Sequence, residues 1–414
     1  MDKEITVPPI VPGVSASCAP DEPSPPVAIP LQAFNLRHNA APVYAVAAPA
    51  NGGISLDVLP GPTPVPPTDE QLSRLNEQGF TPGLVKALCD SVSAFPLRIW
   101  VVDNSGSMKS ADGTRFVQTS KMSEVKTVSC TRWKELQGTI AYHAQLVALL
   151  RAPTVFRMLN DPGSRVGPQQ FGVADKGPRG SVEDDLRAAN AIMDQASPRG
   201  VTPLAQHVRE IREEVAALAP ELLRRGQRVV IILATDGLPT DQTGVSSEYL
   251  NRDFVESLRM LESLPVWIIV RLCTNDNHVV EFYNDLDKQL ELSLEVLDDY
   301  GNEAKEVHSK NPWLNYGLPL HRCREMGFQN RVFDLIEERT LTKDELKDFC
   351  LLLFGLDQFD GVPEPAVDMK GFAHAVQTMS EKEQKQWNPV KKKAKHWLSI
   401  KKLKNVYGGG GFFF

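Results

Sequence analysis

Long apolar runs are missing from this chain. Among its 414 residues no stretch approaches the roughly 20 apolar residues needed to span a bilayer. Residues 1–13 hold no basic segment leading into an unbroken apolar run, so they do not read as a secretory signal. Cysteine is scarce. Cys18, Cys89, Cys130, Cys273, Cys323 and Cys350 lie far apart, with no CxxC pair and no neighbouring histidine cluster. That excludes a zinc-ribbon pattern and favours free thiols in a reducing compartment over a disulfide framework. No GxxxxGK[ST] loop and no GxSxG elbow is present, which removes a P-loop ATPase and the common hydrolase turn. The net charge is −7, so nothing in the total argues for nucleic acid. These absences predict a soluble, cytoplasmic protein without a nucleic-acid partner.

What is present is ordinary globular composition, 42% hydrophobic and 23% charged, in a length that suits two or three units. Fifteen of the 31 prolines fall before position 70, so residues 1–67 read as a disordered Pro-rich arm, with one short strand conceivable at 43–46. Residues 68–95 read as a helical hairpin. Thr68 caps with Gln71 three positions on, Gly79 closes the first helix, and Leu84, Leu88 and Val92 share a face of the second. This pair slightly resembles a ubiquitin-associated domain; the plainer reading is a packing element.

From residue 96 to 300 strands alternate with helices. The runs 97–103, 228–236 and 265–273 are predominantly apolar, the first two ending in a carboxylate, as buried parallel strands at a site can be. Segments 154–159, 168–174 and 292–299 add weaker strands. Between them lie helices, one with Leu136, Ile140, Ala144 and Val147 on a single stripe and another capped by Ser181 before an acidic first turn. The pattern predicts an α/β fold, a doubly wound, mostly parallel sheet with helices on both faces. Residues 301–380 read as a small helical C-terminal unit, with Thr342 and Glu345 as a capping pair. Residues 381–414 read as a basic flexible tail, nine lysines against Glu381 and Glu383, ending in GGGGFFF. A weak contact with a membrane or polyanion through this tail is the expectation it raises.

Three separated segments carry the chemistry. The first strand runs into Asp103-Asn104-Ser105-Gly106-Ser107, Thr202 opens a later helix, and the second long strand ends at Asp236. In an open α/β sheet ligands bind outside the carboxyl ends of the strands, so the three can share one crevice. Ser105, Ser107 and Thr202 offer hydroxyls, and Asp103 and Asp236 supply negative charge. An all-oxygen donor set suits Mg²⁺ or Mn²⁺.

These five positions, in this order, resemble the metal-ion-dependent adhesion site (MIDAS) of von Willebrand factor A (VWA) domains. The resemblance covers about residues 96–300. The wider chain is also similar to VWA proteins of unicellular eukaryotes, with which it shares GFTPGL at 79–84. The resemblance implies that the serines and the threonine bind the metal directly, the aspartates act largely through water, and a partner protein's Asp or Glu completes the coordination. It implies an intracellular adaptor rather than an enzyme. Two alternatives stand beside it. One is a ubiquitin–proteasome receptor or scaffold using residues 68–95. The other is a hydrolase built on Asp103, Ser105 and His207, a weak case because a lone helical histidine usually packs. One departure from the family pattern is the stretch 109–130, where two β-prone runs around a turn predict a hairpin inserted beside the metal.

Overall fold

The apolar runs of the sequence become the middle of one sheet. The computed structural model describes residues 58–118, 125–177 and 180–408. Most of the expected 1–67 arm, the strand at 43–46 and the end of the chain from 409 lie outside the described residues. Two helices come first, α1 (Asp69–Glu77) and α2 (Pro82–Ala94). Thr68 closes the expected capping box on α1: its Oγ1 accepts the Gln71 N–H at 3.2 Å, and Gln71 Oε1 accepts the Thr68 N–H at 2.9 Å. Gly79, at φ +87°, ends the turn after α1.

The α/β region follows as β1 (Leu97–Val102), β2 (Gly113–Gln118), β3 (Val125–Cys130), α3 (Arg132–Leu150), β4 (Thr154–Met158), β5 (Gln170–Val173) and α4 (Val182–Gln195). It continues with α5 (Leu204–Arg225), β6 (Val229–Thr235), α6 (Glu248–Arg259), β7 (Val266–Leu272), α7 (Asn277–Gln289) and β8 (Leu294–Leu297). Six strands form the central sheet in the order β5-β4-β1-β6-β7-β8. All neighbours run parallel except β5, which is antiparallel to β4. By order of appearance this is 3-2-1-4-5-6, the doubly wound arrangement, and its winding reverses between β1 and β6. Strands β2 and β3 pair only with each other, as the hairpin expected at 109–130.

β1, β6 and β7 are buried along their whole length because helices cover both faces. On one face Trp100, Phe156 and Ile232 meet the α3 stripe of Leu136, Ile140, Ala144 and Val147. On the other, Ile99, Ile231 and Val270 meet Val208, Ile211 and Val215 of α5 and Phe254 of α6. Burying each such side chain contributes roughly 1.5–3 kcal/mol.

The C-terminal elements are α8 (Tyr300–Lys310), α9 (Leu318–Glu325), α10 (Arg331–Glu338), α11 (Lys343–Phe354), α12 (Met369–Lys382), β9 (Gln386–Asn388), β10 (Lys393–Lys395) and α13 (Ile400–Tyr407). They share the first core with the sheet: Trp313, Phe349, Phe372 and Leu403 belong to the same apolar cluster as Trp100 and Val230. The close approach shows at Gly327, where an added Cβ would stand 2.6 Å from Val230 Cγ1. Where a flexible tail was expected over 381–414, residues 386–407 form β9, β10 and α13. Trp397 and Leu403 are fully buried and hold them down.

Residues 68–95 take the packing role. Leu84, Val85 and Leu88 are buried, Gly83 leaves no room for a Cβ beside the Leu352 carbonyl of α11, and Thr81 Oγ1 donates to the Leu353 carbonyl. Arg98 of β1 fastens this junction. It is fully buried and donates to the carbonyls of Met326 (2.9 Å), Phe95 (2.9 Å) and Ser91 (3.3 Å). Burial pushes its guanidinium down to about 10.

Candidate metal centre

Asp103 follows β1 and Asp236 follows β6, so the two carboxylates stand at the carboxyl ends of neighbouring parallel strands, where the winding reverses. The strand register fixes them: the Asp103 N–H donates to the Ala234 carbonyl at 2.9 Å. Asp103 is fully buried. Its Oδ1 accepts the Ser105 N–H at 2.8 Å and its Oδ2 accepts the Thr235 hydroxyl at 2.6 Å. Burial first, and then the Asp236 charge, raise it to about 6 despite those hydrogen bonds.

The hydroxyls line up from there. Ser105 Oγ lies 2.9 Å from Ser107 Oγ, and Ser107 Oγ donates to Asp236 Oδ1 at 2.7 Å. Ser105 and Asp236 are buried, whereas Ser107 is exposed at the mouth. Four of the five expected residues are therefore joined by one continuous run of hydrogen bonds, through the Ser105 N–H to Asp103 and through the two serine hydroxyls to Asp236.

Thr202 sits in the adjoining loop, buried, just before α5. Its N–H donates to Thr240 Oγ1 at 2.8 Å and its carbonyl accepts the Thr240 N–H at 3.1 Å. Two further links tie this loop to the first one: Gly106 N–H to the Gly200 carbonyl at 3.1 Å, and Arg199 N–H to the Asn104 carbonyl at 2.6 Å. Beneath them Asn104 and Asn160 interlock. Asn104 Oδ1 accepts the Asn160 N–H at 2.8 Å, and Asn160 Nδ2 donates to the Val201 carbonyl at 2.8 Å. Gly200 is required here. It takes φ +77°, and a Cβ on it would collide with the Asn160 side-chain oxygen.

Sequence reasoning missed Arg132. Its Nη1 donates to Asp236 Oδ2 at 3.0 Å, while Nε and Nη2 hold Asp112 at 2.7 and 2.5 Å. Asp112 and then Asp236 keep the guanidinium well above its ordinary value against the cost of burial. Asp112 and Arg132 bracket the β2–β3 hairpin, so at the foot of the inserted segment α3 sets a positive charge against one of the site's two carboxylates. The signal that could have exposed Arg132 is its place in the first turn of α3, where the helix dipole favours an acid.

His207, the remaining candidate for a base, is buried on α5 and directs Nε2 to the Leu159 carbonyl at 3.0 Å. It packs, and among the described residues no hydrogen bond joins it to Ser105 or Ser107. A separate acidic group, Glu303, Glu306 and Glu337, has carboxylate oxygens within 4.8 Å of one another. Arg324, fully buried, already bonds two of the three, Glu303 and Glu337, together with Glu295, in an ion-pair network joining α8, α9, α10 and β8.

No protein-family model and no curated protein matches the chain. Two of the solved structures that match are a point mutant of the PilB minor pilin from Streptococcus sanguinis and the SpRpn10 VWA domain. The first shares 13% identity at a TM-score of 0.31, over 49% of this chain and 57% of the pilin. The second shares 10% identity at a TM-score of 0.31, over 49% of this chain and 87% of that domain. The chain thus spans little more than half of the pilin.

Proposed function

We propose that this chain is a divalent-cation-dependent protein-binding module of the VWA type, with Asp103, Ser105, Ser107, Thr202 and Asp236 as its MIDAS residues. The observation that carries the reading is the run of hydrogen bonds from Asp103 through Ser105 and Ser107 to Asp236, on loops bound to each other at the switch point of the sheet. The donor set is all oxygen and two of its members are carboxylates, which fits a hard cation such as Mg²⁺ or Mn²⁺. The two serines and Thr202 would hold the ion, with Asp103 and Asp236 supplying charge. Bound there, the cation would attract an acidic side chain of a partner protein.

The role of the chain's own residues is to keep these oxygens in place. Thr235 and the Ser105 N–H orient Asp103, Thr240 fixes Thr202, and Arg132 orients Asp236. Among the described residues no histidine is hydrogen-bonded to Ser105 or Ser107, and the carboxylate beside Ser107 is one of the proposed site's own charges, so in this reading the site binds and the protein is an adaptor. The burial of Leu84, Val85 and Leu88 against the chain's own core takes support from the ubiquitin-receptor alternative. A cytoplasmic setting goes with the free thiols of Cys89, Cys130, Cys273, Cys323 and Cys350, and among the described residues no helix is long and apolar enough to cross a membrane.

Thermal unfolding in chelator, then with Mg²⁺, Mn²⁺ or Ca²⁺, beside Asp103→Ala and Thr202→Ala, tests the proposal. A ligand that binds the folded state alone adds about 2.7 kcal/mol at a hundredfold excess over Kd. We expect a metal-dependent rise in Tm that both variants lose. No rise at millimolar metal, or a rise that the variants keep, would sink it.

A further inference from the structure

A cavity of about 440 Å³ opens between α8, the β9–β10 hairpin and α13, in the C-terminal region and not at the candidate metal centre. Four lysines line it: Lys391, Lys393 and Lys395 from the hairpin, and Lys402 from α13. His308 of α8 and His396 join them, and no carboxylate is part of the lining. Among the described residues none of these lysines forms an ion pair. The polar side chain that does approach one of them is itself basic: His308 Nε2 lies 3.3 Å from Lys402 Nζ. Lys391, Lys393 and Lys395 are exposed and Lys402 is half-buried, so the lining carries four positive charges and no negative one.

The hairpin that presents the lysines is held by buried amides. Asn388 donates to Asn315 Oδ1 at 2.8 Å, and its own Oδ1 accepts the Lys391 N–H at 2.6 Å. Asn315 donates in turn to the carbonyls of Gln386 and Lys395. Both asparagines are buried, so the lysine backbone is preorganised. α13 adds to the same potential. Its N-terminus faces the site through Ser399, which makes no side-chain cap, and its first turn carries Lys401 and Lys402 with no acid. Burial and Lys391 lower Lys402, and burial with Lys402 and Lys391 lowers His308. One wall is apolar, from Trp313, Leu314 and Leu398.

We propose that this cavity is a receptor for a small organic anion carrying two or more phosphate groups. A phosphomonoester holds about −1.5 to −2 charges near neutral pH, so two of them match four ammonium groups. The volume suits a small ligand, since such pockets run to roughly 300–1,000 Å³. Uncapped helix N–H groups and lysines are both phosphate donors. The apolar wall suits the carbon skeleton that bears the phosphates. The anion comes either free in solution or as a lipid headgroup, and the two sources present the same chemistry. The polyanion contact expected of the whole basic tail thereby narrows to four of its nine lysines.

The test uses the full chain in chelator, so that the site around Asp103 holds no metal. Calorimetric titration with inositol trisphosphate at low salt is compared for the wild type, Lys393→Gln/Lys402→Gln, and Lys385→Gln/Lys404→Gln. The last pair removes the same charge from lysines outside the cavity. Circular dichroism checks that all three fold. We expect wild-type binding, a loss of about a hundredfold in the cavity variant at roughly tenfold per charge-assisted contact, and little change in the control. Flotation with phosphatidylcholine vesicles containing phosphatidylinositol bisphosphate distinguishes the sources. Flotation that the cavity variant loses assigns a lipid headgroup, and soluble binding without flotation assigns a free anion. Absence of wild-type binding, or equal weakening in both variants, would overturn the proposal.

Discussion

Arg132→Met separates the stability of the site from its affinity for a cation. The guanidinium bonds Asp236, whose side chain is fully buried, at 3.0 Å, and keeps 14% of its own side chain exposed. Removing one partner of a buried ion pair costs about 3–5 kcal/mol, because the other charge is left uncompensated. The cost here is smaller, since Asp112, the second partner, is 56% exposed and water takes over its solvation. Methionine also preserves much of the apolar stem. We therefore expect the metal-free variant to lose about 1–3 kcal/mol.

Cation affinity moves the other way. With Arg132 in place one of the two carboxylates is already answered, and without it the site regains a full negative charge. Opposite unit charges about 4 Å apart attract by about 1 kcal/mol in bulk water and about 4 kcal/mol at an effective dielectric constant of about 20. For a crevice open at Ser107 we take about 1–3 kcal/mol, or roughly tenfold to a hundredfold tighter Mg²⁺ binding. Thermal unfolding in chelator and across a Mg²⁺ series reads both quantities on one sample. The variant starts at a lower Tm and gains more per decade of metal. If it loses stability and metal response together, Arg132 supports the binding geometry and the charge argument fails. If neither changes, the contact to Asp236 is not populated in solution.

Gly200→Ala forces a non-glycine residue to φ +77° against Asn160 and breaks the Asn104–Asn160 lock. Denaturant titration should show a loss of about 2–3 kcal/mol, with the Mg²⁺ response reduced as the Thr202 loop shifts. Acid pH should destabilise the fold through its buried histidines. His143, His207 and His321 are each lowered by burial, so below about 6.5 the unfolded chain binds protons that the folded chain refuses. Stability then falls as pH drops through that value, by up to about 1.4 kcal/mol per pH unit for each histidine. Asp103, raised to about 6, acts in the opposite sense, so the comparison is made between the wild type and His321→Gln. Urea midpoints at pH 7.5 and 5.5 should show a shallower loss in the variant, and an equal loss would count against a neutral buried His321. Arg324→Met leaves Glu295, Glu303 and Glu337 without their shared cation and should cost about 3–5 kcal/mol in the same assay.

What could be read in the sequence was local, or repeated along the chain. The capping boxes at Thr68 and Thr342 involve residues three apart, and both form. The strands 97–102, 229–235 and 266–272 announce themselves as predominantly apolar runs. Once these strands are parallel neighbours, Asp103 and Asp236 must stand side by side, so most of the candidate site follows from strand ends. Long-range pairing could not be read. Arg324 meets acids from three elements, and Arg98 reaches the Met326 carbonyl far along the chain. No periodicity encodes such contacts. The lysines of 391–402 passed for a solvated tail because their fixed placement depends on the Asn315–Asn388 pair, which crosses 73 residues.

The insertion decides how far the MIDAS resemblance carries. A five-residue motif specifies which oxygens can converge, but not the charge that surrounds them. In this chain Asp112 and Arg132 stand at the two ends of the β2–β3 hairpin and clasp each other, and the clasp holds Arg132 against Asp236. The hairpin is thus more than a flap beside the site. In the proposed reading the clasp at its foot sets the charge that a cation would meet, and Thr114 anchors the hairpin by donating its N–H to Glu135 at 2.7 Å. Glu135 also pairs with the buried Arg271 of β7, so the clasp is continuous with the sheet. In the proposed reading, a site without Arg132 would present two uncompensated carboxylates and would bind a cation more tightly. In the proposed reading, affinity for a cation would depend on the contact between Arg132 and Asp236.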